Sequence, residues 1–419
     1  MPGHGKSLKE PAREPLPEPP GYGRDSIADV FTSAAAALGL DRFDNALGLP
    51  KARRICVVMV DGLGKALLKQ RGGHAPFLRG SLENSRTLGS AFPSTTAASL
   101  ASLGTGLEPG RHGMVGYDVL DPLQDKVVNQ LGGWDEGVDP LLWQPNPTVL
   151  EQVAAEVPVV TVSLPKFATS GMTRAALRGG SFVPAGTGHA RTRAAAEHLA
   201  GQDQMLMYLY FNELDKAGHR YGCGSMQWGN ALEELDSGMR RLAANLPADT
   251  LLLLTADHGM LDVAPEHRID YSADPALTAG VRHTAGEPRM VHLYFEPDAT
   301  AEHREALIQT WRQAYGRQAW VLTRDEAVAH GLFGRVEPEV LPRIGDVLVA
   351  AREPIALYDL RRVASSALEQ VGQHGSLTRA EREVPLLTLA HTSAGGTGSS
   401  GHMVGTKTGR KAGGRRRRH

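Results

Sequence analysis

The apolar positions of this chain fall into short continuous runs that alternate with segments of helical periodicity. Runs at residues 54–60, 158–162, 205–211 and 251–255 are almost entirely apolar, as is typical of parallel strands buried on both faces. Residues 226–246 place leucine and methionine along one face of a helix. Further helices are predicted at residues 25–40, 64–70, 96–103 and 191–199. This alternation predicts an α/β fold, a doubly wound and mostly parallel sheet with helices on both faces.

The pattern divides the chain into a leader, one domain and a tail. Residues 1–24 are polar and rich in proline, and we expect a disordered leader there. Residues 25–392 have the composition of one α/β domain. From residue 393 to residue 419 the chain is rich in glycine, serine and threonine and then basic, which predicts a disordered tail.

Within the domain, residues at about 261–343 are less regular than the rest. A strand at 291–295 stands out there, and the segment is predicted to form a small cap inserted into the sheet. The apolar run at 346–350 is expected to return to the main sheet.

Composition narrows the class of protein. Of 419 residues, 41% are hydrophobic and 22% charged, as in ordinary globular proteins, and the net charge of −1 argues against a nucleic-acid-binding surface. Two cysteines exclude a disulfide framework and a cysteine-rich zinc site. The sequence shows neither a secretory signal nor an apolar run long enough to span a membrane, so a cytoplasmic protein is expected. The oligomeric state is not indicated.

Acidic and imidazole side chains follow the predicted strands. Asp257 and His258 end the leucine-rich run, and Asp61 ends the first strand. Ligands of open α/β sheets bind at the carboxyl ends of the strands. A carboxylate beside an imidazole is costly to bury there unless a cation pairs with it, which favours a divalent metal. The alternative for each is an ordinary turn residue.

Two further positions extend this set. Asp215 and His219 follow the strand at 205–211 at i, i+4 spacing, which puts both on one face if the segment is helical. His374 lies between Gly372-Gln373 and Gly375, where glycine lets the backbone approach a site closely. Three carboxylates and three imidazoles at one sheet edge predict a centre for two divalent ions. Zinc is favoured, with manganese or iron as alternatives.

Hydroxyl groups begin the helix predicted at 96–103. Thr95 or Thr96 would lie at the helix N-terminus, where the positive field favours an alkoxide or a phosphate. Either threonine could serve as a nucleophile, or simply as an N-cap.

Together these segments resemble the alkaline phosphatase superfamily and, within it, the nucleotide pyrophosphatase/phosphodiesterase branch. The matching segments occur in the family's order and are Val60-Asp61-Gly62, Pro93-Ser94-Thr95-Thr96 to Thr105-Gly106, Asp215-Lys216-Ala217-Gly218-His219, Thr255-Ala256-Asp257-His258-Gly259 and Gly372-Gln373-His374-Gly375.

The resemblance implies a role for each position. Thr96 corresponds to the nucleophile, because that residue lies ten positions before the glycine of the Thr-Gly pair, here Gly106. Ser99 stands where the branch has an asparagine that holds a phosphoryl oxygen. One zinc would be bound by Asp215, His219 and His374, and the other by Asp61, Asp257, His258 and the oxygen of Thr96.

The resemblance therefore predicts a hydrolase of small phosphate esters or nucleotides, acting on phosphodiester or pyrophosphate bonds through a phospho-threonine intermediate. A phosphomonoesterase or phosphonate hydrolase on the same centre is the rival activity. The alternative that is not an enzyme is a protein that binds metal without catalysing a reaction. Residues 113–143 and the segment after residue 261 are expected to determine selectivity.

Overall fold

The computed structural model describes residues 15–135 and 137–392. Its strands are β1 (Arg54–Val60), β2 (Arg86–Gly89), β3 (Asp118–Asp121), β4 (Lys126–Asn129), β5 (Val159–Ser163), β6 (Ser181–Pro184), β7 (Met205–Phe211), β8 (Thr250–Thr255), β9 (Leu261–Asp262), β10 (Arg268–Asp270), β11 (Val281–Glu287), β12 (Met290–Phe295), β13 (Ala319–Thr323), β14 (Val347–Ala351), β15 (Ala356–Tyr358), β16 (Gly372–Gln373) and β17 (Glu383–Thr392).

The α-helices connect and cover these strands. They are α1 (Asp29–Ala37), α2 (Lys65–Gln70), α3 (Pro76–Gly80), α4 (Thr96–Thr105), α5 (Pro109–His112), α6 (Pro140–Trp143), α7 (Val149–Ala154), α8 (Gly171–Ala176), α9 (Gly188–Ala200), α10 (Glu213–Tyr221), α11 (Met226–Ala244), α12 (Ala301–Tyr315), α13 (Arg324–Ala329) and α14 (Arg379–Arg382). Among the described residues, no helix is both long and apolar enough to cross a membrane.

The main sheet has the order β2-β17-β8-β1-β7-β5-β6. Strand β1 lies between β7 and β8 and is parallel to both, with Val60 opposite Phe211. These central strands are buried over almost their whole length, as their continuous apolar runs predict. The predicted α/β fold with a large, mostly parallel sheet is confirmed.

Strand β17, which lies between β2 and β8 in the main sheet, was not predicted. It runs antiparallel to both β8 and β2. Polar residues interrupt its sequence, and Pro385 lies within it, so no continuous apolar run marks it as a sheet strand.

A second sheet forms the cap, with the order β11-β12-β14-β13 and antiparallel pairing throughout. The expectation that the apolar run at 346–350 returns to the main sheet is wrong, because this run is β14. Val347 and Val349 pack into the cap core with Trp311, whereas Leu348 and Ala350 pack into the main core. A strand buried on both faces has the same apolar run in either sheet.

The expected disordered leader needs a correction at its carboxyl end. Residues 1–14 lie outside the described residues, but residues 15–24 are described and partly packed on the domain. The hydroxyl of Tyr22 donates to the carbonyl of Leu332 at 3.2 Å and accepts from the amide of Phe92 at 3.1 Å. The predicted basic tail, residues 393–419, lies outside the described part of the chain.

A buried ion pair joins the cap to the main domain. Arg289, in the turn between β11 and β12, donates from Nε and Nη2 to the carboxylate of Glu381 at 2.7 and 2.9 Å. Both side chains have an exposed fraction of 0%. The guanidinium also donates to backbone carbonyls of Ala351, Glu353 and Ile355. The cap hairpin is thereby fixed to the segment that follows His374.

Replacing Arg289 by methionine should lower the free energy of unfolding by about 3–5 kcal/mol, because the Glu381 carboxylate would stay buried without its partner. Urea unfolding of the two proteins measures this difference. The control is Arg193→Ala, which breaks an exposed pair with Glu197 and should cost about 0–1 kcal/mol. A loss no larger for Arg289→Met than for the control would contradict the assigned role.

Candidate active site

The topology brings three strand ends to one edge of the sheet. Asp61 directly follows β1, and Asp257 follows the neighbouring β8 after one residue. Strand β7, on the other side of β1, leads into α10, which carries Asp215. Helix α10 confirms that the i, i+4 pair Asp215 and His219 lies on a helix. The order β8-β1-β7 therefore explains why residues far apart in sequence meet.

Asp61, Asp257 and His258 form one compact cluster, in which one potential ligand atom of each lies within 4.8 Å of the others. His258 Nε2 lies 3.5 Å from both Asp61 Oδ1 and Asp257 Oδ2. Asp257 Oδ1 accepts from the backbone amides of Gly62 at 3.1 Å and His258 at 2.9 Å. These bonds fix the carboxylate while its second oxygen faces the imidazole.

A second cluster lies beside the first. Ligand atoms of Asp215, His258 and His374 lie within 4.8 Å of one another. The rings of His258 and His374 stack with centroids 3.6 Å apart. His219 lies next to this group, with Nε2 at 3.2 Å from Asp215 Oδ1 and its ring centroid 5.2 Å from that of His374. The structure thus brings all six predicted carboxylates and imidazoles together.

All three imidazoles are oriented through the same ring atom. Nδ1 of His219 lies 2.8 Å from the carbonyl oxygen of Gly372, Nδ1 of His258 lies 2.9 Å from that of Gly259, and Nδ1 of His374 lies 3.0 Å from that of Ser94. A carbonyl only accepts, so each Nδ1 carries a proton, and in a neutral imidazole the lone pair is then on Nε2. This is the way in which proteins prepare histidines to bind a metal.

The carboxylate oxygens also fit a cation. Asp61 Oδ1 and Asp257 Oδ2 are buried, and neither has a hydrogen-bond partner among the described residues. Buried anionic oxygens are unfavourable unless a cation or a donor compensates them. Together with the Nε2 atoms of the histidines, they make a mixed carboxylate and imidazole set that suits zinc.

The carboxyl groups shift one another's pKa. Burial, together with Asp215 and Asp257, raises the pKa of Asp61 well above its usual value. Burial likewise raises the pKa of Asp257 to about 7. Burial also acts to raise the pKa of Asp215, but His219 and the other imidazoles outweigh it and lower that pKa.

Burial acts on the pKa of the imidazoles in the opposite direction, because an imidazole is charged when it is protonated. Burial acts to lower the pKa of His219, but Asp215 outweighs it and raises that pKa to about 9. Burial, with His258 and His219 nearby, lowers the pKa of His374 well below its usual value. The site therefore holds several ionisable groups that shift one another's pKa, and most of them are buried.

Thr96 is the hydroxyl that faces this centre. It is the first residue of α4, and its Oγ1 lies 3.1 Å from His258 Nε2. It lines a cavity of about 520 Å³ together with Asp61, Asp215 and His374. The neighbouring Thr95 does not line this cavity. Of the two threonines at the helix start, only Thr96 therefore lines the cavity. The sequence pattern alone did not distinguish them.

Ser99, by contrast, does not reach the site. Its side chain is fully buried, and its Oγ accepts a hydrogen bond from the amide of Ala91 at 3.3 Å. It does not line the cavity that contains Thr96. The side chain exposes no surface to the cavity, and this geometry disfavours the expected contact of Ser99 with a phosphoryl oxygen.

Two residues that contact the centre were not found by sequence reasoning. Tyr210, on β7, donates its hydroxyl proton to Asp61 Oδ2. Glu287, at the end of β11 in the cap, lines the cavity and has Oε2 3.6 Å from His374 Nδ1. Burial raises the pKa of Glu287 well above its usual value. Tyr210 lies in an apolar run that predicts a buried strand. Glu287 lies in the irregular cap segment. Neither sequence pattern therefore predicts a functional residue.

A parallel sheet with buried carboxylate and imidazole clusters at its carboxyl edge is typical of metal-dependent hydrolases. The chain belongs to the type I phosphodiesterase/nucleotide pyrophosphatase family, whose model matches residues 55–377. It is thus an enzyme of the phosphodiesterase and nucleotide pyrophosphatase kind, within the alkaline phosphatase superfamily. The resemblance inferred from the motifs is confirmed.

Solved structures with the same fold include two kinds of hydrolase. Murine ectonucleotide pyrophosphatase/phosphodiesterase 5, an inactive variant in complex with AMP, is 16% identical and has a TM-score of 0.61; the match covers 80% of this chain and 88% of the murine chain. Phosphonoacetate hydrolase from Sinorhizobium meliloti 1021, in complex with phosphonoacetate, is 19% identical with a TM-score of 0.64; the match covers 84% and 93%. At these low sequence identities, the structural similarity shows that this chain has the same fold.

Proposed function

We propose that this protein hydrolyses phosphodiester or nucleotide pyrophosphate bonds through a covalent intermediate on Thr96. The observation that carries the proposal is the position of Thr96 Oγ1, 3.1 Å from His258 Nε2 at the start of α4. A nucleophilic hydroxyl next to a cluster suited to a cation, and at a helix N-terminus, is poised for attack on phosphorus.

The donor set fits two divalent ions, with zinc favoured and manganese or iron as alternatives. Asp215, His219 and His374 would hold one ion. Asp61, Asp257, His258 and the oxygen of Thr96 would hold the other. When bound, the ions lower the pKa of the threonine hydroxyl and neutralise negative charge on the attacking and leaving oxygens.

The reaction is two in-line displacements. Thr96 gives up its hydroxyl proton and its Oγ1 attacks phosphorus. A new Oγ1–P bond forms, the bond from phosphorus to the leaving oxygen breaks, and the leaving oxygen takes up a proton. The amides at the start of α4 stabilise the phosphoryl oxygens. Water then attacks the phospho-threonine, which releases the second product and restores the hydroxyl of Thr96. The imidazoles, each tied at Nδ1, hold the geometry through both steps.

The solved neighbours support the proposal by analogy. The murine neighbour is an inactive variant in which a threonine is replaced by alanine, and it binds AMP. The S. meliloti neighbour binds phosphonoacetate, which supports phosphonate hydrolysis as the second candidate. Both activities would use the same nucleophile, so the substrate and not the centre distinguishes them.

A substrate panel tests the assignment. The purified protein, loaded separately with each metal, is given bis(p-nitrophenyl) phosphate, p-nitrophenyl phosphate and phosphonoacetate. We expect the diester to have the highest kcat/KM. A higher kcat/KM for the monoester or for phosphonoacetate would replace the proposed activity by the corresponding rival.

Tyr210→Phe should weaken metal binding by roughly tenfold or more, because residues that hydrogen-bond to a metal ligand contribute on this scale. The phenol donates to Asp61 Oδ2, and phenylalanine keeps the ring but loses the donor. Competition with a chromophoric chelator measures the affinity without reference to turnover. Tyr315→Phe, on α12 in the cap, is the control and should leave the affinity unchanged. Equal affinities for Tyr210→Phe and the wild type would exclude this role.

A further inference from the structure

Arg362 brings a permanent positive charge to the cavity that contains Thr96. It lies in the segment that follows β15, and among the described residues it is the single lysine or arginine whose side chain lines this cavity. The side chain has an exposed fraction of 32%, so a ligand can reach it. The reaction steps assigned to Thr96 and the metal-ligand cluster make no use of this cation.

Asp118 holds the guanidinium of Arg362 in place. Nη1 of Arg362 donates to Asp118 Oδ2 at 2.6 Å. Asp118 begins β3 and is buried, and its Oδ1 accepts from the backbone amide of Gly286 at 2.6 Å. Because both oxygens of the carboxylate are engaged, Asp118 fixes the position of the guanidinium at the cavity.

Most of the donors of Arg362 remain available to a ligand. A guanidinium has five N–H donors in a planar fork, and the described residues accept from this one only at Nη1. Two parallel N–H donors of such a fork bind the paired oxygens of a carboxylate or a phosphoryl group. Arg362 therefore has the donors that an anion requires.

The neighbouring carboxylate, Asp359, does not compete for these donors. It accepts from Nε and Nη2 of Arg361 at 2.9 and 2.7 Å and from Thr284 Oγ1 at 2.7 Å. The guanidinium groups of Arg361 and Arg362 balance the carboxylates of Asp118 and Asp359, so these four side chains together carry no net charge. Of the two guanidinium groups, only that of Arg362 lines the cavity.

Arg362 is connected to the candidate metal centre through the cap. Gly286, which donates to Asp118, is followed by Glu287, whose Oε2 lies 3.6 Å from His374 Nδ1. Asp118 and the Gly286-Glu287 segment thus link Arg362 to His374. This places the guanidinium where a substituent of the substrate, and not the phosphorus attacked by Thr96, would meet it.

We propose that Arg362 forms an anion subsite, which recognises a carboxylate or phosphoryl group on a substituent of the substrate. This inference rests on the proposed function, because the substituent is attached to the phosphorus that Thr96 attacks. The N–H donors that Asp118 does not occupy bind two oxygens of the anion. Hydrogen bonds between ionised groups are stronger than those between neutral groups, so the subsite favours an anionic substituent over an uncharged one of the same shape.

Diesters that differ in the charge of one substituent test the subsite. Each releases p-nitrophenolate, and the second alcohol is either 4-hydroxybenzoate or its uncharged analogue 4-hydroxybenzamide. The wild type should prefer the hydroxybenzoate diester by about tenfold in kcat/KM, the effect of hydrogen bonds to a charged group. A third diester, of (phosphonomethyl)phenol, distinguishes the two anions: a larger preference for it than for hydroxybenzoate assigns a phosphoryl group, and a smaller preference assigns a carboxylate.

Two double variants each remove one ion pair without changing the net charge. Asp118→Asn with Arg362→Gln should reduce the preference for the hydroxybenzoate diester to about threefold or less, chiefly through KM. Asp359→Asn with Arg361→Gln is the matched control, because it also removes a buried carboxylate and its guanidinium, but that guanidinium does not line the cavity. The control should keep the wild-type preference.

A single substitution checks the role of the planar fork. Arg362→Lys keeps the charge but loses the paired donors, and it should show a preference between those of the wild type and of the double variant at Arg362. Thermal unfolding of each variant shows that it is folded under the conditions of the assay.

The outcomes distinguish this subsite from the proposed function. A wild type that cleaves the charged and uncharged diesters with equal kcat/KM, or double variants that reduce the preference equally, would overturn the subsite and leave the diesterase activity in place. A wild type that cleaves none of the diesters with any of the metals would overturn the proposed function and the subsite with it.

Discussion

Thr96→Ala is expected to lower kcat by roughly a thousandfold or more, as removal of a covalent nucleophile does in other hydrolases. Alanine keeps the helix start but removes the oxygen that is proposed to bond to phosphorus. Metal content should stay unchanged, because Asp61, Asp257 and His258 supply the remaining ligands in the proposed site. Steady-state rates with a p-nitrophenyl diester and elemental analysis of the same sample measure both quantities.

Thr95→Ala is the matched control for this experiment. Thr95 precedes Thr96 and is fully buried, but it does not line the cavity. Its side chain makes no capping hydrogen bond, and its loss should lower kcat by less than about tenfold. Full activity in Thr96→Ala, or inactivity only in Thr95→Ala, would show that Thr96 is not the nucleophile.

Removal of the metal ions should abolish hydrolysis and destabilise the protein. Without them the buried carboxylates Asp61, Asp215 and Asp257 lie close together, and burial already raises the pKa of Asp61 and Asp257. A ligand present at a hundred times its Kd stabilises the folded state by about 2.7 kcal/mol. Dialysis against a chelator, followed by thermal unfolding and assay, measures both effects.

Adding single metals back to the metal-free protein distinguishes between the possible ions. Zinc, manganese and iron are added back one at a time, and we expect zinc to restore the most activity and the largest rise in Tm. Activity that survives complete demetallation would refute the metal requirement. A rise in Tm without recovery of activity would indicate a structural and not a catalytic ion.

The main sheet and the edge that carries the candidate site could be predicted, because continuous apolar runs are visible within short stretches of sequence. Strands β1 and β7 occupy the residues predicted for them, since a continuous apolar run leaves few other structures open. The ends of such runs are also where α/β proteins place ligands, so Asp61, Asp215 and Asp257 could be selected before their distances were known.

The other features depend on contacts that local patterns do not contain. His374 reaches the centre through a bridge between Ser94 and Gly375, residues far apart in sequence. Strand β14 has the pattern of a main-sheet strand but pairs in the cap. Ser99 follows Thr96 at helical spacing, yet its side chain is fully buried and does not line the cavity. For His374 and β14, partners far away in the sequence decide the position.

The stereochemistry at phosphorus tests the central claim most directly. A single diastereomer of a phosphorothioate diester is hydrolysed in heavy-oxygen water, and the configuration of the product is determined. Each in-line displacement inverts phosphorus, so attack by Thr96 followed by attack of water predicts overall retention. Overall inversion would show that water attacks the substrate directly and would contradict a covalent intermediate on Thr96.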